Sequence, residues 1–439
     1  MHPIGIVTDS RLKGRLFMEQ RMELLPGVWL CGVQTRQFKG ACLSFNLLRP
    51  LRQQEASKNA LLANVLMQGC EKYPDMQSIS LALDQLYGAG LGPLVRKNGE
   101  IQTCGFYLSF LEERFAMDGD KILEPMLELL GQILLKPCTE HGAFRSDIVE
   151  LEKENLISII ASSVNDKRTY AAKQMLKAMC KDDGFGISRL GEIEDVKAIT
   201  PENLYAHYQM ILETSPIEIF YAGSTPLELV GTALRRVLKD LPRGTLEELP
   251  FAPMPRRQQV QYLEETMDLT QGKLSMGFTT GVTTKDPLFV PMMVFNALFG
   301  GDMTSKLFLN VREKLSLCYY ANSGMYGAKG IITVSCGIET ANYEKAKNEI
   351  LLQLEACQKG DISNEELESA KEAMRSSLVA IPDSTGRMED YHMFCLLSGF
   401  TLEPKQYLEA VQKVTIQDVV EAAKQVSLDT IFFLKGAAQ

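Results

Sequence analysis

Hydrolysis at a metal needs imidazole and carboxylate side chains at ligand spacing, usually two on one helix face and a third from another element. This chain carries four histidines, His2, His141, His207 and His392, each more than 60 residues from the next. No two lie one helical turn apart, so nowhere does the sequence display a zinc-ligand pair. Each imidazole reads as a surface or capping side chain. Glu150, Glu152 and Glu154 crowd one segment, as a solvated helical face does. A different chemistry is open to Arg312 and Tyr319. A guanidinium and a phenol can both donate hydrogen bonds to a carbonyl oxygen that gains negative charge. The same two residues could instead close a helix, where a cation suits the terminus, and begin a strand as packing. Tyr320 competes with Tyr319, because alternation along a strand points neighbours to opposite faces.

Composition narrows the partners. A net charge of −9 with 23% charged residues gives no basic footprint for nucleic acid. The ten cysteines form no C-x-x-C pair and mostly sit in apolar runs such as Val28-Trp-Leu-Cys31. Free core thiols of a reducing compartment are expected. The first ten residues lack the basic-then-apolar pattern of a signal peptide. No apolar run approaches the ~18 residues of a membrane span. The expectation is a cytoplasmic protein with no membrane contact.

Elements that could position such residues fall into two halves. Leu86-Tyr-Gly-Ala is echoed by Leu298-Phe-Gly-Gly, and Thr200-Pro-Glu-Asn by Thr415-Ile-Gln-Asp. The closing runs Ile217–Gly223 and Thr430–Gly436 repeat in the same order, at offsets between 212 and 215 residues. Four prolines and a glycine between Leu241 and Arg257 mark an extended joint. This gives a first domain at 1–240, a linker at 241–258 and a second domain at 259–439. Strands are expected at Val28–Gln34, Ala41–Leu47, Gln102–Phe110, Lys273–Phe278 and Ile331–Gly337. Helices are expected at Ser57–Gln68, Lys121–Leu135, Asp147–Ser162, Tyr343–Gln358 and Glu365–Val379. Ser363 with Glu366 makes a capping box, and Gly360 a helix stop. The Asn98-Gly99 hairpin favours antiparallel pairing, hence an α+β fold.

The run Asn59-Ala-Leu-Leu-Ala-Asn-Val-Leu-Met-Gln-Gly69 resembles the zinc helix of the insulinase/pitrilysin (inverzincin) peptidases. Its chemistry is missing. Ala60, Ala63 and Asn64 stand where the two histidines and the glutamate of His-x-x-Glu-His belong. Glu152-Lys153 is similar to a Glu-Arg/Lys pair seven residues before the third ligand, and that ligand position holds Ile159. By contrast, Leu298-Phe-Gly-Gly-Asp-Met-Thr-Ser-Lys-Leu-Phe-Leu-Asn-Val-Arg-Glu-Lys-Leu-Ser-Leu-Cys-Tyr-Tyr320 is similar to the family's Gly-Gly…Ser-x-Leu-Phe…Arg-Glu-Lys-x-x-Leu-x-Tyr. In active members an Arg and a Tyr of this segment hold the substrate carbonyl, and their counterparts are Arg312 and Tyr319.

The resemblance covers nearly the whole chain. It is to the family's inactive bacterial members, among them proteins associated with 5-aminopentanol modification of elongation factor P. It implies two homologous halves, each with a mostly antiparallel sheet and packed helices, arranged as a clamshell of the LuxS/mitochondrial-processing-peptidase kind. It also implies a non-catalytic subunit of a heterodimeric zinc endopeptidase. The partner would be an active His-x-x-Glu-His homologue holding the zinc, and this chain would bind no cofactor. Arg312 and Tyr319 would act in trans on a peptide substrate. The alternative is a peptide- or protein-binding module that cuts nothing.

Overall fold

Alternation, caps and turn residues set the local structure where the sequence signals them. The computed structural model describes residues 20–436, so His2 and the reading of the first ten residues lie outside it. Among the described residues, eight strands precede the Pro-rich joint. They are β1 (Gln20–Leu25), β2 (Val28–Gln34), β3 (Gly40–Pro50), β4 (Gly90–Asn98), β5 (Ile101–Leu111), the short pair β6 (Thr139–Glu140) and β7 (Ala143–Phe144), and β8 (Ile217–Gly223). Five follow it: β9 (Gln261–Met267), β10 (Gly272–Thr279), β11 (Cys318–Tyr326), β12 (Ile331–Ile338) and β13 (Ser427–Gly436). Gly99 takes the left-handed backbone (φ 55°) that lets β4 turn directly into antiparallel β5.

The two main sheets share one plan. The first runs β1-β2-β8-β3-β5-β4 and the second β11-β12-β10-β13-β9. Reversed, the second order matches β2-β8-β3-β5-β4 strand for strand. The closing strands pair parallel, β8 with β2 and β13 with β9, and the other neighbours pair antiparallel. The fold is α+β with two similarly built halves, as expected.

Helix ends follow their caps. Ser363 accepts the Glu366 N–H (3.1 Å) while the Glu366 carboxylate accepts the Ser363 N–H (2.8 Å), which starts the helix Asn364–Val379. Gly360, at φ 84°, stops Tyr343–Lys359. Thr200 and Thr415 cap the matched helices Pro201–Thr214 and Ile416–Ala423, their side chains accepting the N–H of Asn203 and Asp418, and Thr415 alone completes a reciprocal box.

Packing divides the chain between Pro250 and Phe251, inside the Pro-rich joint, but each unit also takes a segment from the other half of the sequence. One unit holds residues up to Ala161, Ile187–Pro250 and Ser384–Met393. The other holds Ser162–Gly186, Phe251–Asp383 and Phe394 onward. The joint is anchored rather than loose: in the first unit Arg243 donates to the carbonyls of Pro26, Leu212 and Ser215.

In the first unit one sheet face is apolar. Leu43, Phe45 and Leu47 of β3 join Phe106, Leu108, Ile217 and Ile219 under the helices Gln53–Met67, Leu123–Leu135, Pro201–Thr214 and Leu227–Val237. The opposite face carries Cys42, Phe220 and Ala222 and meets Met388, from the lent segment. In the second unit the lent helix Lys167–Met179 covers one sheet face. A β-carbon on Gly277 would lie 2.6 Å from the sulfurs of Met175 and Met179, so only glycine permits that approach. The central strands β8 and β10 are thus buried along nearly their whole length, on both faces. Among the described residues no helix is long and apolar enough to cross a membrane.

Candidate functional site

The helix Gln53–Met67 is packed on nearly every side. Ala60 and Ala63 are buried, and Asn64 is half-buried with its amide donating to the Ala60 carbonyl at 3.1 Å. Glu152 is buried and accepts a hydrogen bond from Gln68 at 2.5 Å. Lys153 donates to Glu150 and to the Ile199 carbonyl. The Glu-Lys pair is therefore spent on structure. Ile159 projects from the helix Ser146–Ser162 with 56% of its surface exposed. Zinc does not fit this set. Two methyl groups, an amide bonded to its own helix and an aliphatic chain offer no imidazole, thiolate or carboxylate.

The histidines correct the sequence reading. Of the three described histidines, His141 alone is a surface residue, in the turn between β6 and β7 with φ 51°. His207 is buried, and its Nε2 lies 2.7 Å from Oδ1 of Asn59. Asn59 in turn donates to Gln102 at 2.8 Å. Burial pushes His207 down to about 4, which keeps its ring neutral near pH 7. Sequence spacing hid this imidazole, 148 residues from the helix it touches.

His392 is also buried. The structure brings it together with Cys31 of β2 and Glu218 of β8, with one candidate ligand atom from each lying within 4.8 Å of the others. Among the described residues this is the cluster that could hold a metal ion. His392 Nε2 is 2.8 Å from Glu218 Oε1, and the Phe220 ring stacks on the imidazole. Arg21 donates to Glu218 Oε2 at 2.9 Å while its guanidinium lies over Trp29. Burial opposes a charge on His392, but the adjacent Cys31 and Glu218 raise it to about 10. One turn earlier, Glu389 is fully buried, accepting from Ser44 at 2.9 Å and Arg96 at 2.5 Å. A sequence signal existed. Glu218 is the lone charge in Ile217-Glu-Ile-Phe-Tyr-Ala-Gly223, and a carboxylate on a strand buried on both faces must find partners.

The second motif sits on irregular backbone. Ala297–Gly301 and Leu307–Lys314 are both wide π-helical turns, a geometry common at functional sites. Arg312 keeps 38% of its side chain exposed, stacks on Phe308 and lies 3.6 Å from Glu313. Its charge reaches the Cys318 thiol, so it stands near the start of β11. That thiol is held below its ordinary value by the Cys336 hydrogen bond and, against the effect of burial, by Arg312. The register slips at this point: Cys318 pairs with Ile338 but Tyr320 with Gly337, which leaves Tyr319 in a bulge. Tyr319 is 62% exposed, whereas the Tyr320 ring packs under Arg168 at 4.3 Å. Beside the Gly301 turn opens a cleft of about 540 Å³, lined by Asn296, Asp302, Met374, Ser377 and Tyr407 among others.

Comparison with known proteins is consistent with this arrangement. Residues 198–374 match the family described as the peptidase M16 inactive domain. A probable inactive metalloprotease YmfF of Bacillus subtilis (strain 168) is 33% identical over 404 residues, 92% of this chain and 95% of that protein. The mitochondrial-processing peptidase subunit beta of Saccharomyces cerevisiae is 22% identical over 351 residues, 73% of either chain. A conserved protein from Enterococcus faecalis V583 superposes with a TM-score of 0.89 at 27% identity, covering 96% of this chain and 99% of that one.

Proposed function

The chain belongs to the peptidase M16 family, and on that premise we propose that it is the non-catalytic subunit of a heterodimeric zinc endopeptidase of the cytoplasm. An active relative carrying His-x-x-Glu-His would bring the zinc, the attacking water and the general base. This chain would bring Arg312 and Tyr319 in trans to hold the substrate carbonyl, together with walls that select the peptides admitted. Relatives described as a probable inactive metalloprotease and as a processing-peptidase subunit support that reading.

One asymmetry carries it. Ala60, Ala63, Asn64 and Ile159 offer a metal nothing, while Arg312 and Tyr319 keep their donors at the surface. Core packing would have no use for a phenol exposed on a bulge. A carbonyl turning into an oxyanion would, because two preplaced donors stabilise the charge as it forms.

The test is co-expression with a His-x-x-Glu-His homologue, co-purification and steady-state peptide cleavage. Arg312→Ala and Tyr319→Phe should each lower kcat by roughly 10²-fold, the cost typical of one lost oxyanion donor. Unchanged kcat in both variants would remove the trans-donor role. The cleft near Gly301 favours a second reading, a non-proteolytic peptide- or protein-binding module. That reading expects peptide binding without metal-dependent turnover, whether or not the partner is present.

A further inference from the structure

We infer that Cys31, Glu218 and His392 form a buried structural zinc site in the first unit, separate from the lost catalytic one. The three side chains come from β2, β8 and the helix Thr385–Ser398, and bring a sulfur, an oxygen and a nitrogen within 4.8 Å of one another. Zinc accepts this mixed set, with bonds of about 2.3 Å to thiolate and about 2.0–2.2 Å to imidazole or carboxylate. Those bonds place ligand atoms roughly 3.3–3.6 Å apart around a tetrahedron. The atoms here already lie within 4.8 Å of one another, and His392 and Glu218 touch at 2.8 Å. Small side-chain shifts, with no change in strand pairing, would close the site.

The site is enclosed: Cys31, Glu218 and His392 are 2%, 1% and 4% exposed, and without metal the Glu218 carboxylate is met by Arg21 and His392. Zinc would take the place of the proton that His392 shares with Glu218, and that proton is released to solution as the metal binds. The partners that orient metal ligands are also in place: Arg21 donates to both carboxylate oxygens, to Oε1 at 3.3 Å and to Oε2 at 2.9 Å, and Phe220 fixes the imidazole plane. A trapped water would supply the fourth ligand. Because the site is closed to solvent, it cannot present water to a substrate, and zinc would enter as the chain folds. Its effect would be to staple the lent segment Ser384–Met393 onto the first sheet.

The full-length chain, unfolded and refolded with reductant in zinc-containing buffer and then desalted, decides the matter by elemental analysis and zinc-edge X-ray absorption. About one equivalent of zinc is expected, with one sulfur neighbour at about 2.3 Å and the rest nitrogen or oxygen. Cobalt in place of zinc should give a thiolate-to-metal absorption band that Cys31→Ser abolishes and Cys138→Ser, at a half-exposed thiol, preserves. Folded protein without stoichiometric metal overturns the inference. So does a zinc shell with no sulfur or several, or metal retained in folded Cys31→Ser. Should Cys31→Ser fail to refold, the sulfur count of the wild-type chain still decides.

Discussion

A β-carbon placed on Gly337 would lie 2.4 Å from Cε1 of Tyr320, so these two residues hold the start of β11 in one arrangement. Tyr320 takes the space over the glycine, and the bulge before it turns Tyr319 outward. Gly337→Ala should push the Tyr320 ring off its seat and cost about 1–3 kcal/mol, as overpacking does. Urea denaturation reads the stability, and the paired enzyme should lose kcat alongside Tyr319→Phe. A neutral Gly337→Ala in both assays would show that the bulge does not depend on this contact.

Arg312→Ala and Tyr319→Phe should change stability by less than about 0.5 kcal/mol, since neither side chain supports the core. Thermal melting of the isolated chain checks this. A large loss would mean that any fall in kcat reports unfolding rather than a missing donor.

His207 makes stability depend on pH with a definite sign. Its folded value, about 4, lies below its ordinary 6.5. The native ring therefore resists protonation, and its contribution is intact above pH 6.5 and lost as pH falls through 4. The shift corresponds to about 3 kcal/mol across that window. NMR should show the His207 ring neutral down to roughly pH 4, and His207→Gln should flatten the difference in urea midpoint between pH 7 and 4.5. An imidazole titrating near 6.5 would contradict the burial argument.

Putting a histidine back at the vacant zinc helix should fail locally. Ala60 is 1% exposed, so Ala60→His must force side chains apart and should destabilise by about 1–3 kcal/mol. Chemical denaturation measures it. A fully stable Ala60→His would reveal room that the packing does not show.

Glu389 anchors the lent segment through Ser44 and Arg96. Glu389→Ala should cost about 1.5–3 kcal/mol, the range for hydrogen bonds to a charged group. It should also quicken hydrogen exchange across Ser384–Met393. Exchange that stays as slow as in the native chain would mean other contacts hold the segment.

Local structure and the missing chemistry were legible along the chain. The cap at Ser363, the stop at Gly360 and the turn at Asn98-Gly99 act over a few residues, so reading neighbours was enough. Vacancy at Ala60 and Asn64 was legible for a plainer reason: no fold can draw a ligand from a methyl group. Distant encounters were not legible. Cys31, Glu218 and His392 meet because β8 inserts beside β2 and the late segment Ser384–Met393 belongs to the first unit. Spacing along the chain carries no record of that path. Period-2 alternation also could not choose between Tyr319 and Tyr320, because a bulge breaks the period there. Only the pairing of β11 with β12 set which phenol faces water, since register is fixed by contacts made across the sheet rather than along the strand.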